Sequence, residues 1–150
     1  MKYEIVELKE KIAIGVSVQT GNVDPNLAAA LGGLWDRLFK DGIYATIPGK
    51  INEKALGIYT EYKGEDKSSY TAIAACETAD AAEVKDCMVC RIPAGKYAKF
   101  VVHGDMVSAV ASAWQEIGQM DLPRTYQCDF EEYQDDNMED SEIHIYVGIC

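Results

Sequence analysis

Apolar and polar positions alternate in two different periods along the first half of the chain. A period of two, typical of a half-buried strand, is carried by one run of branched side chains: Ile12, Ile14, Val16 and Val18. Leucines and Trp35 then recur at helical spacing through residues 27–38. Asp24 followed by Pro25 is typical of a helix N-terminus. Two further strands are predicted at residues 55–62 and 70–77.

The second half of the chain shows the same succession of patterns. Residues 96–102 alternate as a strand, and Asp105 is placed to cap the helix that follows. The apolar stripe of that helix includes Trp114. Two more strands are predicted at residues 126–133 and 143–149.

The order strand, helix, strand, strand therefore occurs twice, in residues 1–80 and in residues 84–150, approximately. Trp35 and Trp114 fall in the two helices, and Tyr59 and Tyr146 fall in segments that we align with each other. Any α+β domain can be divided into two such halves, so chance resemblance is the alternative. The duplication predicts an α+β fold with an antiparallel sheet, two main helices on one face, and a ligand cleft between the halves. We treat residues 1–150 as one domain.

The charge of the chain limits its partners. Of 150 residues, 25 are Asp or Glu and 14 are Lys or Arg, which gives a net charge of −11. Such a surface repels nucleic acids and attracts cations. We expect no membrane association, because no apolar run is long enough to span a bilayer, and the N-terminus lacks the apolar core of a secretory signal. A cytoplasmic protein with reduced thiols is expected from these features.

Four segments resemble the GyrI-like small-molecule-binding domain, which is also the effector-binding domain of bacterial multidrug-responsive transcription activators. They are IPAGKYAKF at 92–100, AWQEI at 113–117, DFEEY at 129–133 and IHIYVGI at 143–149. The resemblance implies a duplicated β-α-β-β fold with a ligand cleft between its halves. It also implies that Glu131 lies at the bottom of that cleft. No helix-turn-helix precedes the domain in this sequence, so we expect a standalone protein.

Glu131 is the central candidate residue. In a strand, Asp129, Glu131 and Tyr133 point to one side, while Phe130 and Glu132 point to the other. The usual position of a glutamate is the solvent edge of a strand, and this is the alternative. In an apolar cleft, however, a carboxylate without a counter-charge is costly to bury, so the cleft would select lipophilic cations.

Aromatic side chains would hold the flat body of such a ligand, because ring faces attract cations and tolerate varied shapes. The candidates are Trp35, Trp114, Tyr59, Tyr97 and Tyr146. Core packing explains both tryptophans equally well from periodicity alone. Gly32-Gly33 in the first helix is interpreted as a point of close contact between helix and sheet rather than a phosphate loop.

Two other functions remain open. Some standalone members of the family that this sequence resembles hydrolyse cyclopropane-containing toxins with the same glutamate and neighbouring aromatic residues. The resemblance therefore implies a hydrolase of reactive xenobiotics as the first alternative. The second is an adaptor that inhibits or senses a protein partner through its acidic surface.

Cys87 and Cys90 form a C-x-x-C that we interpret as the end of a strand, since no second such pair exists to complete a zinc site. We expect no metal and no cofactor.

Overall fold

The computed structural model describes residues 1–150 and contains eight strands and three helices. The elements of the first half are β1 (Glu4–Leu8), β2 (Lys11–Gly21), α1 (Leu27–Phe39), α2 (Ile43–Thr46), β3 (Ala55–Lys63) and β4 (Ser69–Thr78). Those of the second half are β5 (Met88–Ile92), β6 (Gly95–Gly104), α3 (Met106–Gln119), β7 (Arg124–Tyr133) and β8 (Ser141–Ile149). The predicted α+β class with two main helices is confirmed, and α2 is a single additional turn.

All eight strands form one antiparallel sheet in the order β1-β6-β8-β7-β3-β4-β2-β5. This order is symmetric about the boundary between β7 and β3. The symmetry relates β2, α1, β3 and β4 to β6, α3, β7 and β8. The first strand of each half is exchanged: β1 pairs with β6, and β5 pairs with β2.

The symmetric order corrects one alignment made from the sequence. Tyr59 lies on β3, whose counterpart is β7, whereas Tyr146 lies on β8. The counterpart of Tyr59 is Tyr133, because Gly57 and Glu131 are directly paired at the symmetry axis and each tyrosine lies two residues beyond. Alternating apolar residues occur in all of these strands, so the pattern alone did not distinguish β7 from β8.

Both main helices pack on the same face of the sheet. α1 contacts β2 and β4, and α3 contacts β6 and β8. The Asp105 carboxylate accepts hydrogen bonds from the backbone N–H groups of Val107 and Ser108, which confirms the predicted cap of α3. α1 begins later than predicted: Asp24 bonds the N–H of Asn26 instead, and no side chain caps α1.

Gly32 and Gly33 of α1 do not mediate close packing, contrary to the sequence interpretation. A Cβ atom built on either residue has no neighbour within 4 Å. Both positions are exposed, on the side of the helix away from the sheet. The reason for the error is rotational: Leu34 and Leu38 take the positions that face the core.

The opposite face of the sheet is apolar as well, because the sheet curls and encloses it. Its core includes Ile58 and Ile73 from the central strands and Ile92 from the edge. The core is closed from its sides by the two exchanged edge strands. The longest helix has 14 residues, and none of the three has the length and hydropathy needed to span a bilayer.

Candidate functional site

Glu131 is buried on the helix-covered face, at the centre of the sheet. Its side chain is 1 % exposed. Three aromatic residues donate hydrogen bonds to the carboxylate: Tyr59 Oη and Trp114 Nε1 to Oε2, at 2.9 and 2.6 Å, and Tyr133 Oη to Oε1, at 2.8 Å. All three donors are neutral groups. The carboxylate therefore has hydrogen-bond partners but takes part in no salt bridge of the structure.

The strand register brings these groups together. Glu131 on β7 is paired with Gly57 on β3, so Tyr59 and Tyr133 lie two residues away on the same face. α3 places Trp114, and α1 places Trp35, on this same face of the sheet. Trp35 approaches Gly57, where a Cβ atom would lie 3.3 Å from Cζ2 of the indole.

The rings around the carboxylate form two similar pairs. Trp114 meets Tyr59 edge-on, with centroids 5.7 Å apart, and Trp35 meets Tyr133 edge-on at 5.4 Å. The symmetry of the sheet relates one pair to the other. The acid itself breaks the symmetry, because its counterpart is Gly57.

Burial dominates the electrostatics of the site. Desolvation raises the pKa of Glu131 above its ordinary value, and the hydrogen bonds from Tyr133, Trp114 and Tyr59 only partly oppose this effect. Burial and the nearby carboxylate also raise the pKa values of Tyr59 and Tyr133 well above those of free tyrosine. Both phenols therefore remain donors at neutral pH.

The structure brings four of the six predicted residues together: Glu131, Trp35, Trp114 and Tyr59. Tyr97 and Tyr146 lie on the opposite face, packed around Phe130 in the enclosed core. Tyr146 is directly paired with Phe130, the neighbour of Glu131, which fixes it on the other side of the sheet.

Tyr133 and Gly57 are site residues that the sequence analysis did not include. The i, i+2 spacing of Glu131 and Tyr133 was a sufficient signal for Tyr133. No sequence signal identified Gly57, because its role depends on the pairing of β3 with β7.

A second buried acid lies beside the first. Asp129 is fully buried and accepts hydrogen bonds from Tyr62 Oη at 2.5 Å and from the Gly148 N–H at 2.8 Å. It also forms a salt bridge with Arg124, whose Nη2 lies 2.8 Å from Oδ2. Asp129 is therefore neutralised within the protein. Of the two buried carboxylates, only that of Glu131 lacks a positive partner.

A bulge in β7 makes this ion pair possible. The pairing of β7 with β8 shifts register between Arg124 and Asp129, and Tyr126 within the bulge has a φ of 54°. The guanidinium lies 4.4 Å from the ring centroid of Tyr126 and 6.0 Å from that of Trp114. Arg124 therefore pairs with the buried Asp129 while its guanidinium lies near the rings of Tyr126 and Trp114.

The cysteines of the C-x-x-C segment face different surroundings. Cys87 packs against the core beneath α1, whereas Cys90 lies in the enclosed core on the other face, together with Cys128. All five cysteines are free. No group of three or more His, Cys, Asp or Glu side chains is arranged to hold a metal ion.

Replacing Gly57 with alanine tests the crowding at the site. The added Cβ would lie 2.8 Å from Glu131 Oε1, which Tyr133 holds in place, so the carboxylate must shift. We expect a loss of about 1–3 kcal/mol in the free energy of unfolding, measured by urea denaturation. The control is Gly118→Ala on α3, where a Cβ meets no atom within 4 Å. Equal stability of the Gly57 and Gly118 variants would contradict the described geometry.

Comparison with known proteins identifies the family. The sequence model of Cass2, described as integron-associated effector binding protein, matches residues 4–149. The chain belongs to this family. Membership in Cass2 supports the expected small-molecule binding in its broad form, and the fold is that of GyrI-like domains. No curated protein matches the sequence.

Solved structures show the same Cass2 fold across the whole chain. An integron cassette protein from Vibrio cholerae has 23% identity and a TM-score of 0.81, covering 99% of this chain and 95% of its own. SAV2435 bound to tetraphenylphosphonium has 19% identity and a TM-score of 0.76, covering 98% and 94%. The C-terminal domain of EcmrR has 13% identity and a TM-score of 0.63, covering 99% and 98%.

Proposed function

We propose that this Cass2 protein binds lipophilic aromatic cations, with Glu131 as the counter-charge. The observation that carries the proposal is a carboxylate that is 1 % exposed, held by three neutral donors and in no salt bridge. Burial without a positive partner is unfavourable for the charged form. A ligand cation placed against this carboxylate supplies the partner that the protein lacks.

The surroundings of the acid favour an aromatic ligand. Two tryptophan–tyrosine pairs flank the carboxylate, and ring faces attract a cation by about 0.5–2 kcal/mol each. The net charge of −11 adds long-range attraction for the same ligands. SAV2435, which shares the fold, has been solved with a cation of this class, tetraphenylphosphonium.

A matched pair of ligands tests the proposal. Methyltriphenylphosphonium and triphenylphosphine oxide have nearly the same shape, but only the first is a cation. By isothermal titration calorimetry at about pH 8, we expect the cation to bind at least about 30-fold more tightly, since an unpaired buried charge costs several kcal/mol. Equal affinities would show that shape and hydrophobicity, not charge, govern binding, and would refute the proposed role of Glu131.

The affinity for the cation should also depend on pH. Because burial raises the pKa of Glu131, the carboxyl is protonated and neutral below that pKa and cannot pair with the ligand. The affinity for methyltriphenylphosphonium should therefore rise by up to about tenfold per pH unit below the pKa and become constant above it. Binding near the pKa should release protons, which calorimetry in buffers of different ionisation enthalpy measures. Triphenylphosphine oxide should show no such rise.

The same samples address the other two functions. If this protein were a hydrolase, an electrophilic ligand would be converted over hours, as chromatography of the incubated mixture would show. If it were an adaptor, a protein partner would bind independently of Glu131 and would dissociate with added salt.

A further inference from the structure

Access to the buried acid requires an aromatic ring to move, if the proposed function holds. The carboxylate is 1 % exposed, and its neighbours are Tyr59, Trp114, Tyr133 and, beside Gly57, Trp35. A ligand that contacts the carboxylate must displace at least one of these rings. They differ in what holds them in place.

Trp114 is held at two points. Its Nε1 donates a 2.6 Å hydrogen bond to Glu131, and the Arg124 guanidinium lies 6.0 Å from its ring centroid. Arg124 is in turn fixed by Asp129, which is fully buried. Moving this indole would break a charge-assisted hydrogen bond and remove a cation from its ring.

Trp35 packs against the apolar cores beneath both main helices, but it has no comparable polar restraint. It donates no hydrogen bond to Glu131, whereas its counterpart Trp114 does. Its ring contacts are the edge of Tyr133 and the ring of Phe39, which stacks at 6.1 Å and is itself 50% exposed. On the sheet beneath it lies Gly57, which has no side chain to obstruct a shift of the indole.

The helix that carries Trp35 lacks local restraints at its N-terminal end, whereas Leu34 and Leu38 anchor its C-terminal half in the core. α1 has no side-chain cap, whereas Asp105 caps α3. Gly32 and Gly33 directly precede the turn of Trp35, and no packing contact requires either glycine. Each costs about 1 kcal/mol relative to alanine in a helix interior. The missing cap and the two glycines lower the free-energy cost of bending the N-terminal part of α1.

The geometry points to a division of labour between the two tryptophans. Trp35 is the ring that swings aside when the N-terminal part of α1 bends, which admits the ligand, and Trp35 then packs on it. Trp114 stays in place and orients Glu131. This inference rests on the proposed function. It adds that the two symmetric halves are not equivalent in binding, since one half opens and the other stays closed.

Single-tryptophan variants test which ring moves. Trp114→Phe leaves Trp35 as the reporter, and Trp35→Phe leaves Trp114. In time-resolved fluorescence anisotropy without ligand, we expect a larger nanosecond amplitude of motion for Trp35 than for Trp114. Equal amplitudes, or greater motion of Trp114, would overturn the inference.

A stiffened α1 tests the link between helix opening and entry. The double variant Gly32→Ala, Gly33→Ala adds no contact within 4 Å, so it should raise the melting temperature. By stopped-flow fluorescence, we expect association of tetraphenylphosphonium to slow by about threefold or more, because entry requires a conformational change. Trp35→Leu should weaken its affinity by about tenfold through the lost ring contact.

The outcomes separate the inference from the proposed function. If wild-type protein binds tetraphenylphosphonium, while the double-glycine variant associates at the wild-type rate, Trp35 does not control entry and only the inference fails. If wild-type protein does not bind this cation, the proposed function fails and the inference with it.

Discussion

Glu131→Gln is expected to weaken binding of tetraphenylphosphonium by about 30-fold or more, because loss of one partner from a buried charge pair costs at least about 2 kcal/mol. The glutamine is nearly isosteric with glutamate. Its carbonyl oxygen still accepts from Trp114 and Tyr59, and the Tyr133 hydroxyl rotates to accept from the new amide. Calorimetric titration of both proteins measures the difference in affinity.

Although Glu131→Gln weakens ligand binding, it is not expected to lower the stability of the folded protein. Burial raises the pKa of Glu131 in the folded protein, so the native state loses stability as pH rises from the unfolded pKa through the folded one. Glutamine has no charge to bury. The melting temperature of the Glu131→Gln variant should therefore be at least that of wild type above neutral pH.

A matched control separates the two adjacent glutamates. Glu132 lies on the other side of β7, next to Lys54 Nζ at 3.6 Å and Gln134 Nε2 at 2.8 Å. Glu132→Gln changes the net charge equally but leaves the site intact. Equal losses of affinity in the two variants would mean that net charge, rather than a specific carboxylate, attracts the cation.

Asp129→Asn is expected to have the largest effect on stability, about 3–5 kcal/mol in the free energy of unfolding. Asp129 is fully buried, and the Arg124 side chain is only 15% exposed, so the change leaves a largely buried cation without its partner. The Tyr62 hydroxyl and the Gly148 N–H also lose the charge that they bond. Urea denaturation at neutral pH measures the change in midpoint.

Removing both charges should restore part of this loss. Arg124→Met removes the guanidinium charge and keeps an unbranched apolar side chain, so the double variant with Asp129→Asn should be less destabilised than the sum of the single variants. Asp121→Asn at an exposed position serves as the control. An Asp129 variant no less stable than this control would show that the ion pair contributes nothing to the fold.

The sequence was sufficient for the elements and for the acid at the centre of the site. Alternation placed Asp129, Glu131 and Tyr133 on one face of a strand, and the family resemblance selected Glu131. The cap at Asp105 followed from its side chain alone, since capping is a local interaction. Local patterns of this kind do not depend on which strands are neighbours.

The aromatic members of the site depended on register, which the sequence did not reveal. Tyr97, Tyr146 and Tyr59 all lie in alternating strands, and only the pairing of strands shows that the first two face the enclosed core. The Arg124–Asp129 pair was missed for a related reason. A bulge with a left-handed Tyr126 brings together two residues that regular strand geometry would keep apart.

The exchange of first strands limits how such a domain could be divided. β1 completes the half that contains β6, and β5 completes the half that contains β2. A polypeptide of only half this length would leave a strand edge with unpaired backbone N–H and C=O groups. Exchange of the first strand with a second copy of the same polypeptide would pair these groups. A gene of half the size would on this basis encode an obligate homodimer, whose two copies carry the same residue at the symmetry axis. When two copies are joined in tandem, each half can carry a different residue there, as Glu131 and Gly57 do in this chain.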